Sequence, residues 1–215
     1  MSPTPERPRV LVATHSNHKL RELRELLHPA RAHLVSLDDV GVAVEPVEDG
    51  QSFAANARLK ARFYARLTGL PTLADDSGLE VDALGGGPGV RTRRFAGEDA
   101  TDEDNNRLLL ERLAGLPPER RGARYVCVLS LVLPGSAGPR GGLPVAAETR
   151  GTCRGRIATA PRGHAGFGYD PIFEPSPEPP GGRTFGRYSA AEKHAISHRA
   201  RAARRMAPRL AALGY

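Results

Sequence analysis

Two adjacent carboxylates, Asp75 and Asp76, close the short run Pro71 to Ala74 and are followed at once by Ser77 and Gly78. Neighbouring residues of a strand point to opposite faces, but where a strand ends both side chains can bend toward one cleft. A pair placed that way can hold Mg²⁺, which favours one or two carboxylates together with phosphate oxygens and waters. Alternatively, one of them can orient an attacking water. The competing reading is an acidic turn that ends the strand and caps the next segment. Glu48, in Val47-Glu48-Asp49-Gly50, is either a third carboxylate for the same cation or a solvated loop charge.

Four other groups of residues bear on chemistry. Thr14-His15-Ser16-Asn17-His18-Lys19 lies between an apolar run and a helical pattern. A helix N-terminus offers free N–H groups and the positive end of a dipole, so such a turn can bind phosphate. The pattern is neither G-x-x-x-x-G-K-[ST] nor G-x-G-x-x-G, and an ordinary strand-to-helix loop is the alternative. Phe167-Gly168-Tyr169-Asp170-Pro171 sets two aromatics and a carboxylate on a glycine-flexed backbone, where a purine could stack, unless the rings belong to the core. His194 and His198 stand four apart on a helical pattern without an obvious third metal ligand. Arg199, Arg201, Arg204, Arg205 and Arg209 form either a solvated face or a nucleic-acid patch.

Composition narrows the class. The 215 residues suit one domain with a sizeable core. Gly (24) and Pro (19) make up one residue in five, below the level that signals disorder. The net charge of +7 suits a polyanionic partner such as nucleic acid, a membrane surface or nucleotide phosphates. The longest mostly apolar run, Tyr125 to Leu133, is far too short for a membrane-spanning helix, and the polar N-terminus lacks a signal-peptide core. Two cysteines, Cys127 and Cys153, cannot build a disulfide framework, so a reducing cytoplasm is the expected compartment. Of the 31 basic residues, 28 are Arg, and only Lys19, Lys60 and Lys193 are Lys. A compact point charge differs from a planar fork, so each lysine is a candidate phosphate contact.

The elements that must position these residues follow an α/β grammar. Residues 1–8 are expected as a disordered tail. Strands are expected at Arg9–Ala13, near His33–Ser36, at Val42–Glu45, from Pro71 to Gly78, over Leu79–Asp82, at Arg124–Leu133 and at Val145–Ile157. A helix should run from the Thr14–Lys19 turn to Leu27, and another from the Ser52 cap to Thr68, with Asn56 and Lys60 on one face. Thr101 caps a third helix. A capping box, Ser189-Ala190-Ala191-Glu192, opens a last helix that carries the arginines. Loops are expected at Leu84–Gly89 and Glu174–Gly182, with a hairpin connection at Pro134–Pro144.

Taken in order, these segments resemble the inosine triphosphate pyrophosphatase family over about residues 9–212. The resemblance rests on Val12-Ala13-Thr14 through Lys19, on Glu48 with Phe53, Asn56 and Lys60, and on Ala74-Asp75-Asp76-Ser77-Gly78-Leu79 with Leu84-Gly85-Gly86. It is completed by Gly166-Phe167-Gly168-Tyr169-Asp170-Pro171-Ile172-Phe173 and by Glu192-Lys193 with Ala195-Ile196-Ser197-His198-Arg199. It implies an elongated two-lobed α/β structure around a long twisted mixed β-sheet with flanking helices, residues 9–215 forming one domain with its active site in the cleft between lobes. The implied activity is hydrolysis of ITP, dITP and XTP to the monophosphate and pyrophosphate by a Mg²⁺-dependent, cytoplasmic homodimer. No membrane or stable nucleic-acid complex is implied. By position, Thr14, His15, Ser16, Asn17, His18, Lys19 and Lys60 would hold the phosphates. Asp76 would be general base and metal ligand, supported by Asp75 and Glu48. Ser77, Phe167, Gly168, Tyr169, Asp170, Lys193, His198 and Arg199 would hold the rest of the substrate. Ser16 stands where the family usually has Asn, Ala55 where Glu is usual, and Gly186-Arg187-Tyr188 replaces a more acidic or apolar stretch. Two alternatives are a septum-formation-type nucleotide pyrophosphatase acting on modified pyrimidine nucleotides, and a basic nucleic-acid-binding protein.

Overall fold

The computed structural model describes residues 7–29, 31–135 and 142–215. Most of the N-terminal tail and the middle of the Pro134–Pro144 connection lie outside them. Six strands form one mixed sheet in the order β2-β1-β3-β4-β5-β6: β1 (Arg9–Ala13), β2 (His33–Val35), β3 (Thr72–Val81), β4 (Gly122–Val132), β5 (Val145–Ile157) and β6 (Phe173–Pro175). β1 pairs in parallel with β2 and with β3, and β5 pairs antiparallel with β6. Among the described residues five α-helices accompany it: α1 (Asn17–Leu27), α2 (Phe53–Thr68), α3 (Asp102–Arg112), α4 (Ala190–Ile196) and α5 (His198–Ala212). Among the described residues no helix is long and apolar enough to cross a membrane.

The helix boundaries follow from local chemistry. Ser16 and Ser52 cap α1 and α2, accepting from the backbone N–H of Lys19 and Ala55. α2 stops where Gly69 turns left-handed at φ +67° and its N–H donates to the Ala65 carbonyl. Thr101 with Asp104, and Ser189 with Glu192, form reciprocal capping boxes for α3 and α4.

The chain divides into two compact units. The first comprises residues 1–76, 128–150 and 202–215. Its core packs Leu11, Ala13, Leu37, Ala61, Tyr64, Ala74 and Val132. The second comprises residues 77–127 and 151–201, around Leu79, Val81, Leu109, Tyr125, Ile157, Ile172, Phe173 and Phe185.

Four expectations are corrected. Val42–Glu45 is not a strand: the Val42 N–H turns back to the Leu37 carbonyl, and the Val44 carbonyl accepts from the Tyr64 hydroxyl instead of from a ladder. Pro71–Gly78 and Leu79–Asp82 are not two strands, because Ser77 and Gly78 stay extended and β3 runs unbroken to Val81. Phe173–Pro175 pairs with the end of β5, so strand continues into the start of the Pro-rich loop. The last helix is broken at Ser197, whose ψ of 159° ends α4. The Ser197 hydroxyl then accepts from the Ala200 N–H at 3.2 Å and starts α5.

One side chain fastens the start of β4 to the end of β5. Arg121, 3% exposed, donates from Nε to the Ile157 carbonyl (2.7 Å), from Nη1 to Leu113 (2.6 Å) and from Nη2 to Ala158 (2.7 Å), while its own carbonyl accepts from the Ile157 N–H. Removing it takes a charged donor from three carbonyls at once, of which Leu113 alone is shown to keep another, the Leu116 N–H. Arg121→Ala should therefore cost about 3 kcal/mol or more of unfolding free energy, measurable by chemical denaturation; a loss within the scatter of surface substitutions would refute this reading.

Candidate active site

In the first unit, β1 hands the chain to α1 through Thr14–Ser16. The Thr14 hydroxyl accepts from the Ser16 N–H at 3.1 Å. Ser16, as the α1 cap, has its own hydroxyl committed to Lys19. Asn17 and His18 are exposed at the helix start, and His18 Nδ1 lies 3.4 Å from the Arg21 guanidinium. His15 lies 3.3 Å from the Tyr64 hydroxyl and 3.8 Å from the Glu45 carboxylate.

The carboxylates lie on β3 well before its end, so their side chains alternate and each meets a different helix. Lys19 of α1 reaches Asp75 at 3.0 Å. Lys60 of α2 reaches Asp76 at 2.8 Å and Glu48 at 3.1 Å. Burial raises the Asp76 carboxyl above the ordinary carboxylate range, more than Lys60 and Lys19 lower it. For Lys60, burial opposes the charge, but Asp76, Glu48 and Asp75 together outweigh it and hold its pKa above the usual lysine value. Asn56, one turn before Lys60, accepts from the Gly50 N–H at 2.8 Å; Tyr64, one turn after it, donates to Val44 at 3.0 Å. One stripe of α2 thus fastens the irregular stretch that carries Glu48.

In the second unit, Asp170 is buried and accepts from donors on three different segments. They are the Phe167 N–H (2.9 Å), Lys193 Nζ (2.6 Å) and the Tyr125 hydroxyl (3.3 Å). Lys193 Nζ lies 4.9 Å and the Arg199 guanidinium 5.6 Å from the centre of the Phe167 ring, both within cation–π range. Arg199, 1% exposed, donates to the Ser77 hydroxyl at 2.8 Å. His198 stacks on Tyr125 with rings 4.6 Å apart and 8° from parallel. Gly166, at φ +78°, must be glycine, because a Cβ there would collide with the Asp170 carboxylate. Tyr169 turns into the core and donates to the Thr92 carbonyl at 2.8 Å, so it anchors the loop rather than facing outward.

Tyr125 and Tyr64 were not among the residues picked out by the sequence. Both are buried in the fold, where a hydroxyl demands a partner, and nothing in the flanking sequence marks them.

The first unit thus carries a polar strand-to-helix turn and a lysine-paired carboxylate set, and the second a cluster of aromatic and cationic side chains. The chain belongs to the Ham1 family, which it matches over residues 10–209. It is 48% identical to a dITP/XTP pyrophosphatase of Symbiobacterium thermophilum, covering 95% of this chain and 96% of that protein. It is 45% identical to one of Anaeromyxobacter sp. (strain Fw109-5), covering 92% and 94%. Among solved structures, a HAM1 protein from Coxiella burnetii superimposes with a TM-score of 0.82 at 36% identity, covering 95% of this chain and 99% of that one.

Lys60→Met removes the ammonium between two carboxylates and leaves Asp76 buried without its closest counter-charge. The cost should be about 3 kcal/mol. The substitution also raises the folded-state pKa of Asp76 further, so the fold favours its protonated form and loses stability as pH rises through the carboxylate range. Melting curves should show a larger deficit at pH 8 than at pH 5; an equal deficit at both would refute the charge account.

Proposed function

We propose that this chain hydrolyses nucleoside triphosphates bearing a 6-oxo purine (ITP, dITP and XTP) to the nucleoside monophosphate and pyrophosphate, with Mg²⁺ as cofactor. The observation that carries the proposal is the lysine–aspartate set of β3: two buried aspartates, each already facing an ammonium. The relatives named dITP/XTP pyrophosphatase support the same reading.

The donor set suits a hard cation. Glu48 and Asp76 offer only oxygen ligands and both reach the same Lys60 nitrogen, while Asp75, on the other face of β3, meets Lys19. Among the described residues no three or more His, Cys, Asp or Glu side chains are grouped so as to hold a metal ion by themselves. Mg²⁺ takes ligands beyond one or two carboxylates from phosphates and water. When bound, the ion would neutralise charge developing on the leaving pyrophosphate.

The chain's own groups do the rest. The start of α1 and the ammoniums of Lys19 and Lys60 hold the phosphates. Asp76, its carboxyl raised by burial, accepts the proton of the water that attacks the α-phosphorus. Phe167 offers a face for the base. Lys193 and Arg199 carry only donors, so they can satisfy a 6-oxo group and cannot accept from the 6-amino group of adenine.

Pyrophosphate release should be seen with ITP and XTP and not with ATP; GTP keeps the 6-oxo group, so its rate measures how far the 2-position is read as well. Asp76→Asn should abolish release while leaving the melting profile folded and cooperative. Near-normal turnover by that variant would remove Asp76 as base, and activity on pyrimidine nucleotides alone would favour the septum-formation-type alternative.

Lys193→Ala should raise KM for ITP about tenfold or more, and should also lower Tm, because Asp170 loses its ion pair. Adding Asp170→Asn should recover Tm without recovering KM; recovery of both would make Lys193 a structural residue only.

A further inference from the structure

The loop that carries Phe167 is held by α3. Gly168 sits at its tip in the left-handed region, φ +63°. Its N–H donates to Asp102 Oδ2 at 2.6 Å, and its carbonyl accepts from Asn106 Nδ2 at 3.0 Å. Asp102 and Asn106 are four apart on α3 and so share one face of it. The two peptide planes that meet at Gly168 are therefore each gripped, one by a carboxylate and one by an amide. The residues on either side are fixed by other groups: the Phe167 N–H by Asp170 and the Tyr169 hydroxyl by Thr92. A glycine between them would otherwise leave these two planes free to turn, since it populates both signs of φ.

Asn106 is a poor choice for stability alone. It is 7% exposed, and its Oδ1 has no hydrogen-bond partner among the described residues. A buried amide with an orphaned acceptor carries a desolvation penalty that an apolar side chain of similar size would not. Residues that break such a rule tend to mark functional positions. Gly168 is itself part-exposed, so water can satisfy its carbonyl if Asn106 is lost.

Resting on the reading of Phe167 as the base-stacking residue, we propose that Asp102 and Asn106 are positioning residues that set base discrimination by fixing Gly168, and through it Phe167. They touch neither the phosphates nor the attacked atom. Their effect falls on recognition of the base and not on the chemical step.

The test is Asn106→Leu, compared with wild type for Tm and for kcat and KM on ITP and ATP with Mg²⁺. The expected result is a Tm unchanged or raised, kcat on ITP kept within about twofold, KM for ITP up about tenfold, and a reduced ITP-to-ATP ratio of kcat/KM. Asp102→Asn keeps an acceptor oxygen for the Gly168 N–H and should preserve that ratio, whereas Asp102→Ala should lower it. A wild-type preference for ITP that Asn106→Leu leaves intact overturns this inference alone. A wild-type enzyme with no preference for ITP overturns the functional reading and this inference with it.

Discussion

Each of the three lysines in the chain faces a buried aspartate: Lys19 with Asp75, Lys60 with Asp76 and Lys193 with Asp170. A buried carboxylate without a counter-charge costs several kcal/mol, so these pairs constrain what surrounds them. α1, α2 and α4 must each present one position to one carboxylate, and the caps that fix where those helices begin thereby fix the site. Arginine, present 28 times, is absent from these three places. A guanidinium is a wide planar fork, whereas an ammonium is a compact point charge that can sit between two carboxylates, as Lys60 does between Glu48 and Asp76.

The same arrangement bears on how a nucleotide enters. A triphosphate arriving alone at Lys60 would draw the ammonium away from two carboxylates and leave both exposed to each other. If it came with a divalent cation, the carboxylates of Glu48 and Asp76 would face that cation in place of the ammonium and no charge would be left bare. On the proposed function, the resting charge balance of the site thus favours a metal-bound triphosphate over a bare one.

Much of this was legible in the sequence because local rules carried it. Ser52, Gly69, Thr101 and the Ser189–Glu192 box mark helix boundaries by chemistry acting over three or four residues, and the helices begin and end there. The spacing of Asn56 and Lys60 put both on one buried face. What failed depended on distant partners. Val42–Glu45 has strand composition, but a tyrosine from α2 takes the Val44 carbonyl that a strand would have used. Ser77-Gly78 looks like a turn, yet it stays in the sheet. Asp75 and Asp76 therefore diverge to two helices instead of bending together. Ser197 reads as mid-helix, and only its ψ shows that it caps two helices in succession. Tyr125 carries no local signature at all, because its role comes from Asp170 and His198, far away in sequence.

The path of the chain has its own consequence. It changes unit four times, after Asp76, Cys127, Arg150 and Arg201, and three of those passages occur inside a strand of the sheet. Neither unit is a continuous stretch of sequence, so no gene segment encodes one without the other. Recombination cannot exchange either unit between proteins as a cassette. Asp76 and Ser77, peptide neighbours assigned to different units, have to be inherited together.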